Sequence, residues 1–244
     1  MTKCFPTRVF TGSGDQRSRH MPSKSKSKNQ SPISQGTFGL PKNWPEDIQY
    51  LADQIYSPAV TLDQKAALSR ATSENVVYAK IAKDLLRAPS VLVDIRSITD
   101  KDHPACSQRG LFASQQLPPD SFIYLYIGYV HTGSLSDTDL NSNYDLSYDR
   151  EIGLSIDATN VGNEARFVND YRGIAERPNA EFRDCFIQVR SDKRKDGVKW
   201  ERRVGVFVLP AGNAGKRKAG IKAGEEILVT YGKGYWEGRK SSTP

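Results

Sequence analysis

Side chains used in metal and nucleophilic chemistry are scarce and scattered in this sequence. The histidines and cysteines are His20, His103, His131, Cys4, Cys106 and Cys185. None of the histidines has the spacing of a metal-ligand set or of a catalytic triad. His103 and Cys106 form one H-x-x-C pair, but a second pair is missing, so we expect no zinc site. The scattered cysteines predict neither a disulfide framework nor a thiolate metal site, and they fit a reducing compartment.

Two further patterns could carry chemistry, and neither fits. The segment GNAGKRKAG (212–220) is rich in glycine, but its spacing differs from the G-x-x-x-x-G-K-[ST] loop that binds phosphates. Glu225 and Glu226 are adjacent acids, which usually lie in a solvated turn before a strand. The sequence therefore argues against a classical hydrolase or kinase.

Four segments in a fixed order carry a more specific pattern. They are QRGLFAS (108–114), YIG (126–128), DATNVGNEARFVND (157–170) with PNAEF (178–182), and GEEILVTYGKGYW (224–236). Together they resemble the SET-domain protein lysine methyltransferases over roughly residues 90–240. The third and fourth segments are the specific ones, and the first two would be weak alone.

The resemblance implies small β-sheets around a pseudoknot, in which the C-terminal segment passes beneath the loop that carries R-F-V-N. It also implies transfer of a methyl group from S-adenosylmethionine to a lysine amine, the two entering a narrow channel from opposite faces. Because the sulfonium already carries a good leaving group, alignment and desolvation are the main tasks, and we expect no metal cofactor.

The resemblance also assigns residues that bind the cofactor. We expect these to be Gln108, Arg109, Gly110, Tyr144, Arg166, Asn169, Asp170 and Trp236. Gly110 would permit close approach of the backbone to the methionine portion of the cofactor. Asn169 would hydrogen-bond the cofactor, and Arg166 would precede it on a short strand. Asn163 and Asn179 are expected to fix loops, because buried amides need partners.

The catalytic assignment concerns aromatic residues. Tyr231 matches the family's catalytic tyrosine, and Tyr126 and Phe182 match residues that line the lysine channel. Tyrosines in strands more often fill the core, so this assignment depends on the motif context. Tyr231 would orient the methyl group and the amine through its hydroxyl, and the apolar channel would depress the pKa of the lysine. Phe182 in place of a tyrosine predicts di- or trimethylation, because the hydrogen bond that holds a water or the amine is missing.

The sequence departs from the family pattern at three places. Asn169 is followed by Asp170, Tyr171 and Arg172, where the family usually has His-Ser-Cys. Gln108 stands at the first glycine of the cofactor loop, and the zinc-binding C-x-C-x-x-x-x-C segment that closes the channel in larger members is missing. Trp236 could stack over the cofactor or wall the channel instead. Two alternatives therefore stay open: a catalytically weak module that binds a peptide or scaffolds a chromatin complex, and a methyltransferase for a non-histone protein.

The elements that would position these residues are short strands. From residue 90 onward, runs rich in β-branched and aromatic residues alternate with Gly, Pro, Asn and Asp clusters. The runs are SVLVDI (90–95), GLFA (110–113), FIYLYIGYV (122–130), LSIDA (154–158), EFRDCFIQV (181–189), RVGVFVL (203–209) and EILVTY (226–231). No long helix alternates with them, so we expect a mainly β fold with some α, and not a doubly wound parallel sheet.

Residues 39–89 instead have helical spacing and predict three short helices. These are 43–56, a helix after the capping box of Thr61 and Gln64, and a helix from about Thr72 to Pro89 whose stripe includes Val77 and Leu85. In the first helix, Ile48, Leu51 and Ile55 would share one face. So few short helices cannot form a large core, and we expect them to pack on the β region.

The basic charge is concentrated at the N-terminus. The chain carries a net charge of +7, and residues 1–36 hold +6 of it. This stretch is rich in Ser, Gly, Pro and Gln and has no apolar periodicity, so we expect disorder. Its charge suits a solubilising tail, nuclear targeting, contact with nucleosomal DNA or a mitochondrial presequence.

We therefore divide the chain into a disordered basic tail (1–38), a helical segment (39–89), a SET domain (90–240) and a C-terminal tail (241–244). No run approaches the roughly 18 apolar residues of a membrane-spanning helix, and the first residues lack the apolar core of a signal peptide. We expect a monomer, nuclear unless it is cytoplasmic or mitochondrial. It would use S-adenosylmethionine on a histone tail or another lysine-containing peptide.

Overall fold

A computed structural model of the chain describes residues 39–70, 77–191, 197–212, 218–233 and 235–236. The predictions for the basic tail, for the start of the third helix, for part of the segment 212–220 and for residues 241–244 lie outside these residues. The described residues belong to one compact unit that starts at Gly39. None of their helices is long and apolar enough to cross a membrane.

Strands dominate the described residues. In chain order they are β1 (Gln49–Tyr50), β2 (Ile55–Tyr56), β3 (Ala79–Lys80), β4 (Val93–Ser97), β5 (Arg109–Ala113), β6 (Phe122–Leu125), β7 (Tyr129–Thr132), β8 (Asp145–Asp149), β9 (Leu154–Asp157), β10 (Val161–Gly162), β11 (Asn169–Asp170), β12 (Ala180–Arg190), β13 (Val198–Val208) and β14 (Leu228–Val229). The helical elements are α1 (Leu62–Ala67) and the 3₁₀ turns Lys83–Leu86 and Glu164–Phe167. The mainly β architecture confirms the prediction from the sequence.

Two four-stranded sheets carry most of the fold, with strand orders β3-β12-β13-β6 and β2-β7-β9-β8. The long antiparallel hairpin β12–β13 pairs Ala180 with Val208 and Arg190 with Val198. One cluster of buried apolar side chains connects the two sheets, including Ile123 and Val206 from the first sheet and Ile156 from the second. Apolar side chains on one face of each sheet therefore supply the shared core.

The C-terminal segment is locked beside the loop that follows the 3₁₀ turn Glu164–Phe167. β11 pairs in parallel with β14, so that Asn169 lies opposite Leu228 and Asp170 opposite Val229. The amide of Asn179 donates to the backbone oxygen of Glu226 at 2.7 Å and accepts from the backbone N–H of Leu228 at 2.8 Å. This pairing is the predicted pseudoknot contact, and the amide of the half-buried Asn179 fixes it through both hydrogen bonds.

Most of the predicted runs after residue 90 form strands, but the boundaries differ. The run 122–130 divides into β6 and β7, because the strand is interrupted over residues 126–128, which end at Gly128. A Cβ atom at this glycine would lie 2.4 Å from the backbone oxygen of Asp157, so only glycine fits the close approach. No run in the sequence predicts β8, and Arg166 lies in a 3₁₀ turn instead of the expected short strand.

The helix predicted over 43–56 is wrong. This segment contains β1 and β2, which pair in parallel with β10 and β7. The N–H of Leu51 donates to the oxygen of Gly162 at 2.7 Å, and the N–H of Ser57 donates to the oxygen of Val130 at 2.8 Å. Strand edges from distant parts of the chain satisfy the backbone better than a short isolated helix could, so tertiary pairing overrides the helical spacing.

The second predicted helix is confirmed, and the third is wrong over its described part. Thr61 and Gln64 cap α1 reciprocally. In the third segment, β3 pairs with β12 and a 3₁₀ turn follows. Val77 is 97% exposed, so the apolar stripe does not form one buried face. The pairing of β3 with β12 again satisfies the backbone over a long sequence separation.

Candidate functional site

A cleft of about 660 Å³ opens beside the pseudoknot. Its lining includes all the predicted cofactor-binding residues except Gly110, namely Gln108, Arg109, Tyr144, Arg166, Asn169, Asp170 and Trp236, together with Tyr231. Segments far apart in the sequence thus meet around one space. The volume lies within the range of clefts that bind small molecules and cofactors.

Gly110 lies in β5 beside this cleft and not in its lining. A Cβ atom at this position would lie 2.5 Å from Oε1 of Glu226 and 3.2 Å from Nδ2 of Asn169. A side chain at this position would displace the Glu226 carboxylate from its contact with Asn169, so Gly110 leaves the space in which this contact forms. The expected role in direct approach to a cofactor stays a prediction.

Asn169 is held in one orientation. Its Nδ2 donates to Oε1 of Glu226 at 2.7 Å, with a longer contact of 3.4 Å to the backbone oxygen of Arg109. Because the amine end of the amide faces Glu226, the carbonyl end is the one that can accept a hydrogen bond from a ligand. Glu226 itself was expected in a solvated turn, but its side chain is only 9% exposed, because Gly110 leaves room for it.

Asp170 stands where the family usually has histidine, and its buried carboxylate ties the C-terminal segment to the cleft. It accepts from the backbone N–H of Tyr231 at 2.7 Å, from Nε1 of Trp236 at 3.3 Å and from Nη1 of Arg172 at 2.9 Å. The protein itself therefore engages this carboxylate. The expected backbone contact of Asp170 with a cofactor stays a prediction.

A second cavity of about 70 Å³ is narrow and aromatic. The predicted channel residues Tyr126, Phe182 and Tyr231 all line it. The rings of Tyr126 and Phe182 meet edge to face at 5.5 Å, and those of Tyr231 and Tyr235 at 4.7 Å. Five residues line both cavities: Asn143, Tyr144, Arg166, Tyr231 and Tyr235.

The two predicted catalytic hydroxyls donate hydrogen bonds to fixed backbone acceptors. Tyr126 donates to the backbone oxygen of Tyr144 and Tyr231 to that of Val168, both at 2.7 Å. Burial raises the pKa of Tyr126 well above its usual value and also raises the pKa of Tyr231. Both side chains therefore keep their protons, and their oxygens remain available as acceptors.

Arg166 lines both cavities. Its Nε donates to the backbone oxygen of Ala158 at 2.8 Å, and its guanidinium lies 4.2 Å from the ring centre of Tyr144. The buried cation is thus paired with carbonyl oxygens and an aromatic face, both of which offset the cost of burial.

Several lining residues were missed by the sequence analysis. Pro45 and Ile48 line the cleft from the segment that was predicted as a helix, and Asn143 lines both cavities from the loop before β8. No local pattern identifies them, because their place depends on strand pairing at a distance. Among the residues that the structure describes, no group of three or more His, Cys, Asp or Glu side chains could hold a metal ion.

Comparison with known proteins gives one family match. The model of the SET domain matches residues 108–232. A structure of an active polycomb repressive complex 2 in the basal state has 21% identity and a TM-score of 0.37, over 51% of this chain and 14% of that chain. A polycomb repressive complex 2 of Chaetomium thermophilum has 20% identity and a TM-score of 0.39, over 58% of this chain and 15% of that chain. A search of curated proteins gave no match.

Proposed function

We propose that this chain, which belongs to the SET-domain family, methylates a lysine side chain of a protein with S-adenosylmethionine as the donor. The family match covers just over half of the 244 residues. Members of this family are generally protein lysine methyltransferases. The finer assignments of cofactor, substrate and catalytic residues are our proposals.

The observation that carries the proposal is that the two cavities share lining residues. A wide cleft with polar walls and a narrow aromatic channel share Tyr231, Tyr144 and Arg166 in their linings. The cleft suits a cofactor with many hydrogen-bonding groups, and the channel suits an unbranched side chain. A reacting pair placed in the two cavities would meet beside the Tyr231 ring.

The residues of the cleft fit the cofactor. S-adenosylmethionine, when bound, supplies an activated methyl group on a sulfonium sulfur. The carbonyl of Asn169, oriented by Glu226, would accept from a cationic or amine donor of the ligand. Gln108 and Arg109 would contribute main-chain groups at the same edge, and Trp236 would cover the cleft from the C-terminal segment.

The residues of the channel fit a lysine amine. Burial among Tyr126, Phe182 and Tyr231 would disfavour the charged ammonium and lower its pKa, so the amine loses its proton to solvent before attack. The hydroxyl oxygens of Tyr126 and Tyr231 would accept from the amine N–H and from polarised C–H groups, which aligns the nitrogen lone pair. Exclusion of water from this narrow space would strengthen each contact.

For the substrate we propose a histone, which would make the nucleus the site of action. The support is the basic N-terminal stretch, whose net charge of +6 favours an anionic partner such as nucleosomal DNA. The proposed roles of the described residues do not depend on this choice.

The test is incubation of the full chain with methyl-labelled S-adenosylmethionine and, in parallel, nucleosomes and cell extract. We expect label on a lysine of a histone. Label on a lysine of a non-histone protein would keep the activity and replace the substrate. If no protein is labelled although the chain retains peptides from the same extract, the module that only binds a peptide is correct instead.

A further inference from the structure

His103 is the first link in a chain of side chains that ends at the cleft. Nδ1 of His103 accepts from the backbone N–H of Ala105 at 3.0 Å. The other ring nitrogen must then carry the proton of the neutral ring, and Nε2 lies 3.0 Å from Oε2 of Glu226. The ring is therefore a donor to this carboxylate.

Glu226 connects His103 to the cleft. One carboxylate oxygen faces His103, and the other accepts from Nδ2 of Asn169 at 2.7 Å. The side chains of His103 and Glu226 are each 9% exposed, so water competes little for these hydrogen bonds. A carboxylate held at both oxygens cannot rotate freely, and the amide of Asn169 cannot turn without losing its acceptor.

This chain of contacts passes the backbone at Gly110. Gly110 leaves the space that Glu226 and Asn169 occupy, as the approach of 2.5 Å to a Cβ atom shows. His103 also belongs to the loop from which Pro104, Ala105 and Ser107 line the cleft. His103 thus contacts a loop that lines the cleft and, through Glu226, is connected to the amide of Asn169, which also lines it.

We propose that His103 is a positioning residue for the ligand of the cleft, which acts through Glu226 on the amide of Asn169. The identity of the ligand as S-adenosylmethionine rests on the proposed function, whereas the contacts that carry the positioning do not. His103 itself does not line the cleft, so its effect on binding must pass through the residues that do.

A double-mutant cycle on cofactor affinity separates this role from general support of the fold. His103→Phe removes the donor and keeps a ring, and we expect it to weaken S-adenosylmethionine binding by about tenfold. In the Asn169→Ala background the same change should add little, because the residue it positions is gone. Cys106→Ala in the same loop is the matched control and should bind as wild type does. If the affinity loss of the double variant equals the product of the two single-variant losses, His103 and Asn169 act independently and the proposal is overturned.

A second measurement needs no cofactor. The side-chain NH₂ signals of Asn169 in a ¹⁵N–¹H spectrum are identified by their loss in Asn169→Ala. We expect them to shift in His103→Phe and to stay in place in Cys106→Ala; unchanged signals in His103→Phe contradict positioning. If wild type does not bind S-adenosylmethionine while these signals shift, the proposed function fails and the positioning stands.

A conservative variant covers the case in which His103→Phe does not fold. His103→Gln keeps an N–H donor within reach of Glu226, and we expect its affinity to stay within about threefold of wild type. If His103→Gln folds but binds about tenfold more weakly, the hydrogen bond to Glu226 is not the cause and the proposal is wrong.

Discussion

The two cavities of the site are built by opposite means. The cleft is organised by polar pairs between distant segments, such as Asn169 with Glu226 and Asp170 with the backbone of Tyr231. The channel is organised by packed rings, such as Tyr126 against Phe182 and Tyr231 against Tyr235. Polar pairs specify where a ligand's donors and acceptors go, whereas packed rings exclude water and set the width.

Substitutions in the two cavities should therefore have different effects. Removing a polar partner in the cleft should change affinity, because a hydrogen bond to the ligand or its support is lost. Changing a ring or its hydroxyl in the channel should change rate or product, because the reacting groups are aligned there. Tyr231 belongs to both cavities and separates the two kinds of effect most clearly.

The largest effect is expected for Tyr231→Phe, which removes only a hydroxyl. We expect the rate of methyl transfer to fall by about a hundredfold or more, because an oriented acceptor is lost at the reacting groups. Cofactor affinity should stay near wild type. Tyr129→Phe, which lines neither cavity, is the control. Wild-type rates in Tyr231→Phe would show that Tyr231 only fills the core.

Asn169→Ala tests the polar region. We expect it to weaken S-adenosylmethionine binding by about 1–3 kcal/mol, because the amide that Glu226 orients is lost. Isothermal titration of wild type and variant measures the difference, with the exposed Asn141→Ala as the control. An unchanged dissociation constant would remove Asn169 from the binding site and would leave the cleft without its main polar anchor.

Phe182→Tyr sharpens the account of the channel. The added hydroxyl would hold a water or the amine and leave less room for a methylated amine. We expect wild type to form di- or trimethyl-lysine and the variant to shift toward monomethyl-lysine, as measured by mass spectrometry at long incubation. Phe186→Tyr on the same strand, outside both cavities, should leave the product unchanged. If wild type forms monomethyl-lysine as its sole product, this assignment is contradicted.

The smallest effect concerns alkaline pH. Burial raises the pKa of Tyr231 above its usual value of 10.0, so the folded chain keeps a proton that the unfolded chain releases first. The stability linked to this proton is complete below about pH 10 and declines as the pH rises further. Urea unfolding at about pH 8 and pH 10.5 should therefore show a smaller loss for Tyr231→Phe than for wild type. Equal losses would mean that the buried hydroxyl does not control this decline.

The sequence predicts the pseudoknot better than it predicts the contacts that support the cleft. Asn179 and the segment 224–236 have motif spacing, and the structure pairs them as expected. The burial of Glu226 could not be predicted, because two adjacent acids give no sign that Gly110, more than a hundred residues earlier, leaves space for one of them.

The N-terminal segment shows the same limit. Ile48, Leu51 and Ile55 have helical spacing, yet this segment forms β1 and β2, which pair with β10 and β7. Periodicity over so few residues does not distinguish a short helix from two short strands when the partner strands lie far along the chain. Pro45 and Ile48 reach the cleft only as a result of this pairing.

The most direct test of the account is a calorimetric titration of the wild-type chain with S-adenosylmethionine in chelator-treated buffer. Protein side chains hold the polar groups of the cleft in place, as Glu226 holds the amide of Asn169. We therefore predict saturable binding at one site per chain that added zinc does not strengthen. A dissociation constant of about 1 mM corresponds to a binding free energy of roughly 4 kcal/mol. If no heat of binding is detected at ligand concentrations up to about 1 mM, the cleft is not a site for S-adenosylmethionine.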